Sequence, residues 1–203
     1  MEKINEDCHF SLSEDCLMMK LDSDILEHCD VFSCGNQDLD DFFSNDAISY
    51  ENALMGKTYC WLLREDDRQI VGMITIANAS IQTTHLKNNP KRHLNKSIAY
   101  QKQGRNYPAV LIGRLGVSTK FQGSNFRVGN QIMEFIKGWY NGVDNRAGCR
   151  FIVVDAVNNQ HTIDYYERNG FKPLFPKVQD EKDFYEIPEN EELNTRMYYF
   201  DLL

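Results

Sequence analysis

The stretch Leu111-Ile-Gly-Arg-Leu-Gly-Val-Ser-Thr-Lys-Phe-Gln-Gly-Ser-Asn-Phe-Arg-Val-Gly129 decides how this chain folds. It continues the apolar run Pro108–Val117, rich in β-branched and large aliphatic residues, which suits a central strand. Gly113 and Gly116 lie inside that run. A glycine there gives up packing and marks a bulge or a close backbone approach. Ser118-Thr119 break the run, and from Val128 an amphipathic helix begins, with Val128, Ile132, Phe135, Ile136 and Trp139 at helical spacing. Unpaired N–H groups at such a helix start carry the positive end of the dipole and suit a phosphate. A strand, glycine turn and helix also occur without any ligand. The loop is no Walker P-loop, because no Gly-Lys-Ser/Thr follows. The three spaced glycines of a dinucleotide fingerprint are missing too.

Two further blocks carry more information. Cys149-Arg-Phe-Ile-Val-Val-Asp-Ala-Val157 reads as a second strand, and Asn158-Asn-Gln-His-Thr-Ile-Asp-Tyr-Tyr-Glu-Arg-Asn-Gly-Phe171 as a helix with a glycine after it. Upstream stands Phe32-Ser-Cys-Gly-Asn-Gln-Asp-Leu-Asp-Asp-Phe-Phe43, with Ala47 one turn on. Together the three blocks span roughly residues 30–171 and resemble the acetyl-CoA-binding core of the GNAT-type N-acetyltransferases. The upstream block resembles a branch that includes the tRNA-acetylating toxins of bacterial toxin–antitoxin pairs.

The resemblance implies a Gln/Arg-x-x-Gly-x-Gly/Ala loop around the CoA pyrophosphate. Gln122-Gly123 looks like its start and Val128-Gly129 like its end, with two residues more than usual between the pairs. Asn125 or Arg127 stands where glycine is expected, so the register has two readings. The Gln122 side chain and the N–H groups from Gly123 through Ser124 and Arg127 to Gly129 would take the phosphates. Arg127 would add a charge-assisted contact. Near Leu115, Gly116 and Val117 a bulged strand would offer an N–H to the thioester oxygen and an edge to the pantetheine arm. The cofactor would lie in the cleft between strand 108–117 and strand 150–157. Asn159 reads equally as a pantetheine contact and as a helix N-cap.

Tyr166 matches the tyrosine that family members place beside the CoA sulfur. A phenol of pKa ~10 is protonated at neutral pH and can give its proton to the leaving thiolate. Packing within the helix is the plain alternative for Tyr165 and Tyr166. Neighbouring side chains diverge, and the pattern selects Tyr166. Strand 108–117 has no Asp or Glu and only Arg114 as a charge. A lysine amine, pKa ~10.4, needs a base, whereas an α-amine, pKa ~7.7–8.0, is already substantially neutral. The missing carboxylate favours an α-amine acceptor, on aminoacyl-tRNA or a peptide N-terminus. Glu65, Asp66 or a water relay are the other candidates for the base. The alternative function is a GNAT-fold module that binds CoA or a partner without turnover.

At 203 residues, 42% hydrophobic and 26% charged, the chain suits one domain with its own core. No stretch approaches the ~18 apolar residues of a membrane helix, and the N-terminus lacks an apolar signal core. The expected location is the cytoplasm, with no membrane partner. Six cysteines show neither CxxC pairing nor histidines at zinc spacing, so no metal is expected. A net charge of −8 argues against a generally basic nucleic-acid binder. Residues 81–107, however, hold no Asp or Glu and carry Lys87, Lys91, Arg92, Lys96, Lys102, Arg105, His85 and His93. That basic insertion is either a tRNA-contacting loop or a solvated surface segment. An antitoxin and a second copy of the chain are the other candidate partners.

The expected fold class is α/β (mixed α+β), a GNAT-like twisted mixed sheet with helices on both faces. Strands are expected at 16–22, 58–64, 69–77, 108–117, 150–157, 171–175 and 195–202. Helices are expected at 36–52, 128–141 and 160–169, the first with Leu39, Phe42, Phe43, Ala47, Ile48 and Leu54 facing inward. An acidic loop at about 178–193 joins the last two strands.

Overall fold

The computed structural model describes residues 10–84, 86, 88–95, 98, 106–123, 125–143, 145 and 148–203. A short helix α1 (Leu12–Asp15) precedes strand β1 (Cys16–Lys20) and helix α2 (Ser23–His28). Helix α3 (Gln37–Asp41) passes through a π-helical turn (Phe42–Asp46) into α4 (Ala47–Asn52). Strands β2 (Lys57–Leu63) and β3 (Ile70–Gln82) are followed by α5 (Asn88–Asn95) and β4 (Asn106–Val117). A 3₁₀ turn (Thr119–Phe121) leads towards α6 (Val128–Asn141). Then come β5 (Phe151–Val157), α7 (Gln160–Arg168), β6 (Lys172–Pro173), α8 (Val178–Phe184) and β7 (Thr195–Asp201).

The sheet has seven strands in the order β1-β2-β3-β4-β5-β7-β6. It is mixed. β4 and β5 are parallel, as the intervening α6 requires, while β1/β2, β2/β3, β5/β7 and β6/β7 are antiparallel. This is the expected fold class.

Packing divides the chain into two compact units. The first comprises the residues up to Ile76 together with Arg114–Phe135. Its core joins Leu21, Ile25, Phe32, Phe42, Phe43, Cys60 and Met73. The second comprises Ala77–Gly113 and Ile136–Leu203, around Ile81, Leu94, Tyr107, Phe151, Val153, Leu174 and Phe175. Strand β5 is buried at Phe151, Ile152, Val153 and Val154 in succession, as a strand covered on both faces must be.

Several expectations change. Leu54 does not face inward: α4 has ended, and Leu54 is 92% exposed with φ of +59°. The basic segment is no plain loop, because α5 forms within it, with buried Leu94 as an anchor. Lys91 and Arg92 lie on that helix, while His85, Lys87, Lys96, Lys102 and Arg105 are outside the described residues. The acidic segment contains α8, because Glu181 points inward to a partner. Its carboxylate accepts from the Arg196 guanidinium and, at 2.6 Å, from the Met197 N–H. Gly113 and Gly116 lie within β4 and neither has a positive φ. A register shift is present in β2, between Trp61 and Leu62. None of the described helices is long and apolar enough to cross a membrane.

Candidate acetyl-transfer site

In the first unit, the loop after β4 is held by side chains as well as by its own backbone. The Gln122 amide nitrogen donates to the carbonyls of Cys34 and Val117, each at 2.8 Å. That side chain is therefore a clamp, with its N–H groups spent on two main-chain carbonyls and not directed at a phosphate as the sequence suggests. It ties the loop to the Phe32–Phe43 block. Within that block the Asp40 carboxylate accepts from the Ser33 hydroxyl and the Cys34 N–H, both at 2.7 Å, and fixes the turn at Gly35. Partial desolvation opposes ionisation of Asp40. The hydrogen bonds from Cys34 and Ser33 outweigh it and hold the carboxyl below the usual range.

Gly116 sits against the same block. A Cβ added there would lie 3.0 Å from the Phe43 ring and 3.3 Å from Cys34. The glycine answers a close approach, one of the two reasons the sequence offers. We expect Gly116→Ala to cost about 1–3 kcal/mol, the usual effect of overpacking, measured by urea unfolding. Leu115 and Val117 flank it, half-buried, on β4.

The loop itself turns twice into the left-handed region. Gly123 has φ of +114°, and Arg127, the residue before α6, has φ of +48°. Arg127 thus takes the conformation that glycine adopts without cost, which favours the register placing Arg127 at the expected glycine. Its N–H donates to the Gly123 carbonyl at 3.2 Å and closes the turn. The side chain is exposed. The extra length is absorbed by Phe126, whose ring meets those of Phe121 and Phe10 at 5.9 and 5.7 Å. Gln131 completes the staple, donating to the carbonyls of Phe126 and Phe10. Nothing in the loop motif alone signals these aromatic contacts. Val128 is buried and contributes packing, with Gly129 beside it at the start of α6. Ser124 lies outside the described residues.

Arg114 on β4 lays its guanidinium 3.6 Å from the Phe42 ring centre. The hairpin carboxylate Asp66 accepts from Gln69, and this bond chiefly lowers its pKa. A carboxylate held in its ionised form is a weak base, which counts against that candidate.

In the second unit, Asn159 accepts the Thr162 N–H at 2.8 Å and caps α7. That is the N-cap reading. Gly170, at φ of +81°, ends the helix. Tyr166 is buried, its ring 5.5 Å from Phe171 and 5.2 Å from Tyr165. Desolvation first, and then the Asp155 charge, pushes the Tyr166 phenol up to about 12. Desolvation also raises Tyr165. Tyr166 is accordingly a neutral phenol across the whole working range. Among the described residues no three His, Cys, Asp or Glu side chains gather as metal ligands would.

No family model matches the chain, and no curated protein matches it. Solved structures do. AtaT complexed with acetyl-methionyl-tRNAfMet matches at 21% identity and a TM-score of 0.61, over 92% of this chain and 95% of that one. A tyrosine-to-phenylalanine mutant of KacT matches at 18% identity and a TM-score of 0.62, over 93% and 96%. AtaTR bound with AcCoA matches at 21% identity and a TM-score of 0.59, over 93% and 95%. At these identities the likeness concerns the fold, and it extends over nearly the whole of both chains: this protein is built on the α/β scaffold of AtaT and KacT.

Proposed function

We propose that this protein is an N-acetyltransferase that moves an acetyl group from acetyl-CoA to a primary α-amine, the aminoacyl end of a tRNA being the first candidate. The observation that carries the reading is the loop from Gly123 to Gly129. It is braced at both ends and turned by a left-handed Arg127, and it delivers the chain to the start of α6. A helix start favours a pyrophosphate through its N–H groups and dipole. Glycine at 123 leaves open space where a side chain would stand. The fold neighbours add support, since one is bound with AcCoA and another is complexed with acetyl-methionyl-tRNAfMet.

The residues divide the work. The loop backbone and Arg127 hold phosphate. Leu115, Gly116 and Val117 present strand edge to the pantetheine and an N–H to the thioester oxygen. Tyr166 keeps its proton until a thiolate forms, and then gives it up. The reaction belongs in the cytoplasm, where aminoacyl-tRNA is made. The KacTA-DNA complex and AtaT bound to the antitoxin AtaR are also among the fold neighbours. An antitoxin is on that ground a candidate partner here too.

Calorimetry with acetyl-CoA, followed by thiol release with aminoacyl-tRNA, an unblocked peptide and a polyamine side by side, tests the reading. Binding together with transfer to aminoacyl-tRNA is the expected result. Failure to bind acetyl-CoA at ten-micromolar protein, a figure of about the KM range, overturns the class. Binding without transfer to any amine leaves a CoA-binding module. Arg127 offers a sharper check. Arg127→Ala is expected to weaken CoA binding by about 1–3 kcal/mol. Arg127→Gly should do the same while raising unfolding stability by about 1 kcal/mol, through release of the left-handed strain. An unchanged dissociation constant in both would place the arginine in solvent.

A further inference from the structure

Asp155 is the one charged side chain of β5, a strand otherwise apolar from Phe151 to Val157. Three observations single it out. The first is register. The parallel pairing of β5 with β4 runs from Ala109/Phe151 to Ile112/Val154, and Asp155 is the next residue. It therefore stands at the carboxyl end of the strand, just past the point where the ladder stops, which is where open α/β sheets place their ligands. The second is direction. Side chains alternate along a strand, so Asp155 shares the face of Phe151 and Val153, which pack with Leu174 and Phe175. Those two are buried, whereas Asp155 reaches solvent.

The third is company. The Asp155 charge acts on the hydroxyls of Tyr166 on α7 and of Tyr185 just after α8. Opposite it on β7 stands Met197. The nearest cation on that strand, Arg196, is committed to Glu181 and to the Phe175 carbonyl at 2.9 Å. Among the described residues the Asp155 carboxylate has neither an ion pair nor a hydrogen-bond donor. Desolvation by its apolar surroundings raises its pKa. A carboxylate without a partner, open on one side and set beside a neutral phenol, is made to meet a cation.

We propose that Asp155 receives the acceptor amine and takes its proton, supplying from β5 the carboxylate that β4 lacks. This rests on the acetyl-transfer reading above. Acceptor molecules that arrive as ammonium, the majority at and below neutral pH, give one proton to Asp155. The neutral nitrogen bonds to the thioester carbonyl carbon. As the carbon–sulfur bond breaks, the thiolate takes the Tyr166 proton, and the proton shed by the new amide nitrogen restores the phenol. The proton on Asp155 leaves to water. One acetyl group moves, and one proton is released.

The test is the pH profile of Asp155→Asn, with initiator methionyl-tRNA as acceptor, in single-turnover reactions from pH 6 to 8.5. Tyr166 and Tyr185, both pushed up to about 12, stay neutral throughout that window. The wild-type rate should be nearly flat. The variant, dependent on amine already neutral in solution, should lose roughly 10²-fold near pH 6 and recover about tenfold per unit until the α-amine pKa of ~7.7–8.0. Asp155→Glu, which keeps a carboxylate, should stay flat. Calorimetry with acetyl-CoA should give the wild-type affinity for both variants. An equal loss at every pH, or no loss, overturns the role of Asp155 while leaving acetyl transfer intact. A wild-type protein that binds no acetyl-CoA overturns the acetyl-transfer reading itself.

Discussion

Tyr166→Phe is expected to lower the turnover number by roughly 10²–10⁴-fold, the usual span for a general acid, with little change in acetyl-CoA affinity. The phenylalanine keeps the ring that packs on Phe171 and Tyr165 and removes only the hydroxyl. Burial sharpens the expectation. With its pKa pushed up to about 12, the phenol is never lost to ionisation, so kcat should show no alkaline limb from this group below about pH 11. It is also a weaker acid than a free tyrosine. Giving its proton to a thiolate, whose thiol titrates near ~8.5, is therefore uphill unless the phenol takes up the proton shed by the new amide nitrogen in the same step. Tyr165→Phe is the control. A damaging Tyr165→Phe beside a silent Tyr166→Phe would reverse the two roles. Silence in both would assign the proton to water.

The second large effect concerns stability. Glu181 is fully buried and Arg196 is 9% exposed, and their ion pair joins α8 to β7. Glu181→Ala removes the carboxylate that also accepts the Met197 N–H, and it strands a guanidinium in the interior. A loss of about 3–5 kcal/mol is expected, as for breaking other buried pairs, read from the midpoint of urea unfolding. The paired replacement Glu181→Leu with Arg196→Met should cost much less, because no buried charge is left alone. Equal losses in the single and the double variant would show that the hydrogen bond to Met197 outweighs the charges.

The sequence was informative where a signal was local. The apolar runs at 108–117 and 150–157 fold as β4 and β5, and the helical spacing from Val128 gives α6. Asn159 and Gly170 cap α7 from either end. It was less informative where a polar residue answers a distant one. Glu181 looks like part of a solvated acidic tract until Arg196, 15 residues on, folds back over it. Gln122 looks like a phosphate ligand until the Cys34 carbonyl, 88 residues away, claims its amide. The aromatic staple of Phe10, Phe121 and Phe126 joins two segments that share no pattern.

Taken alone, the sequence determined the mixed α/β class, the strand–loop–helix at 108–141 and the capped helix at 160–169. All of these rest on periodicity, capping and motif, which act over a few residues. Tertiary structure alone decided that Arg127 takes the left-handed turn, that Gln122 is a clamp and that Asp155 stands exposed past the end of the β4–β5 ladder. Each of these depends on which segments are brought together. That choice follows from burial of the core, and no short stretch of chain encodes it.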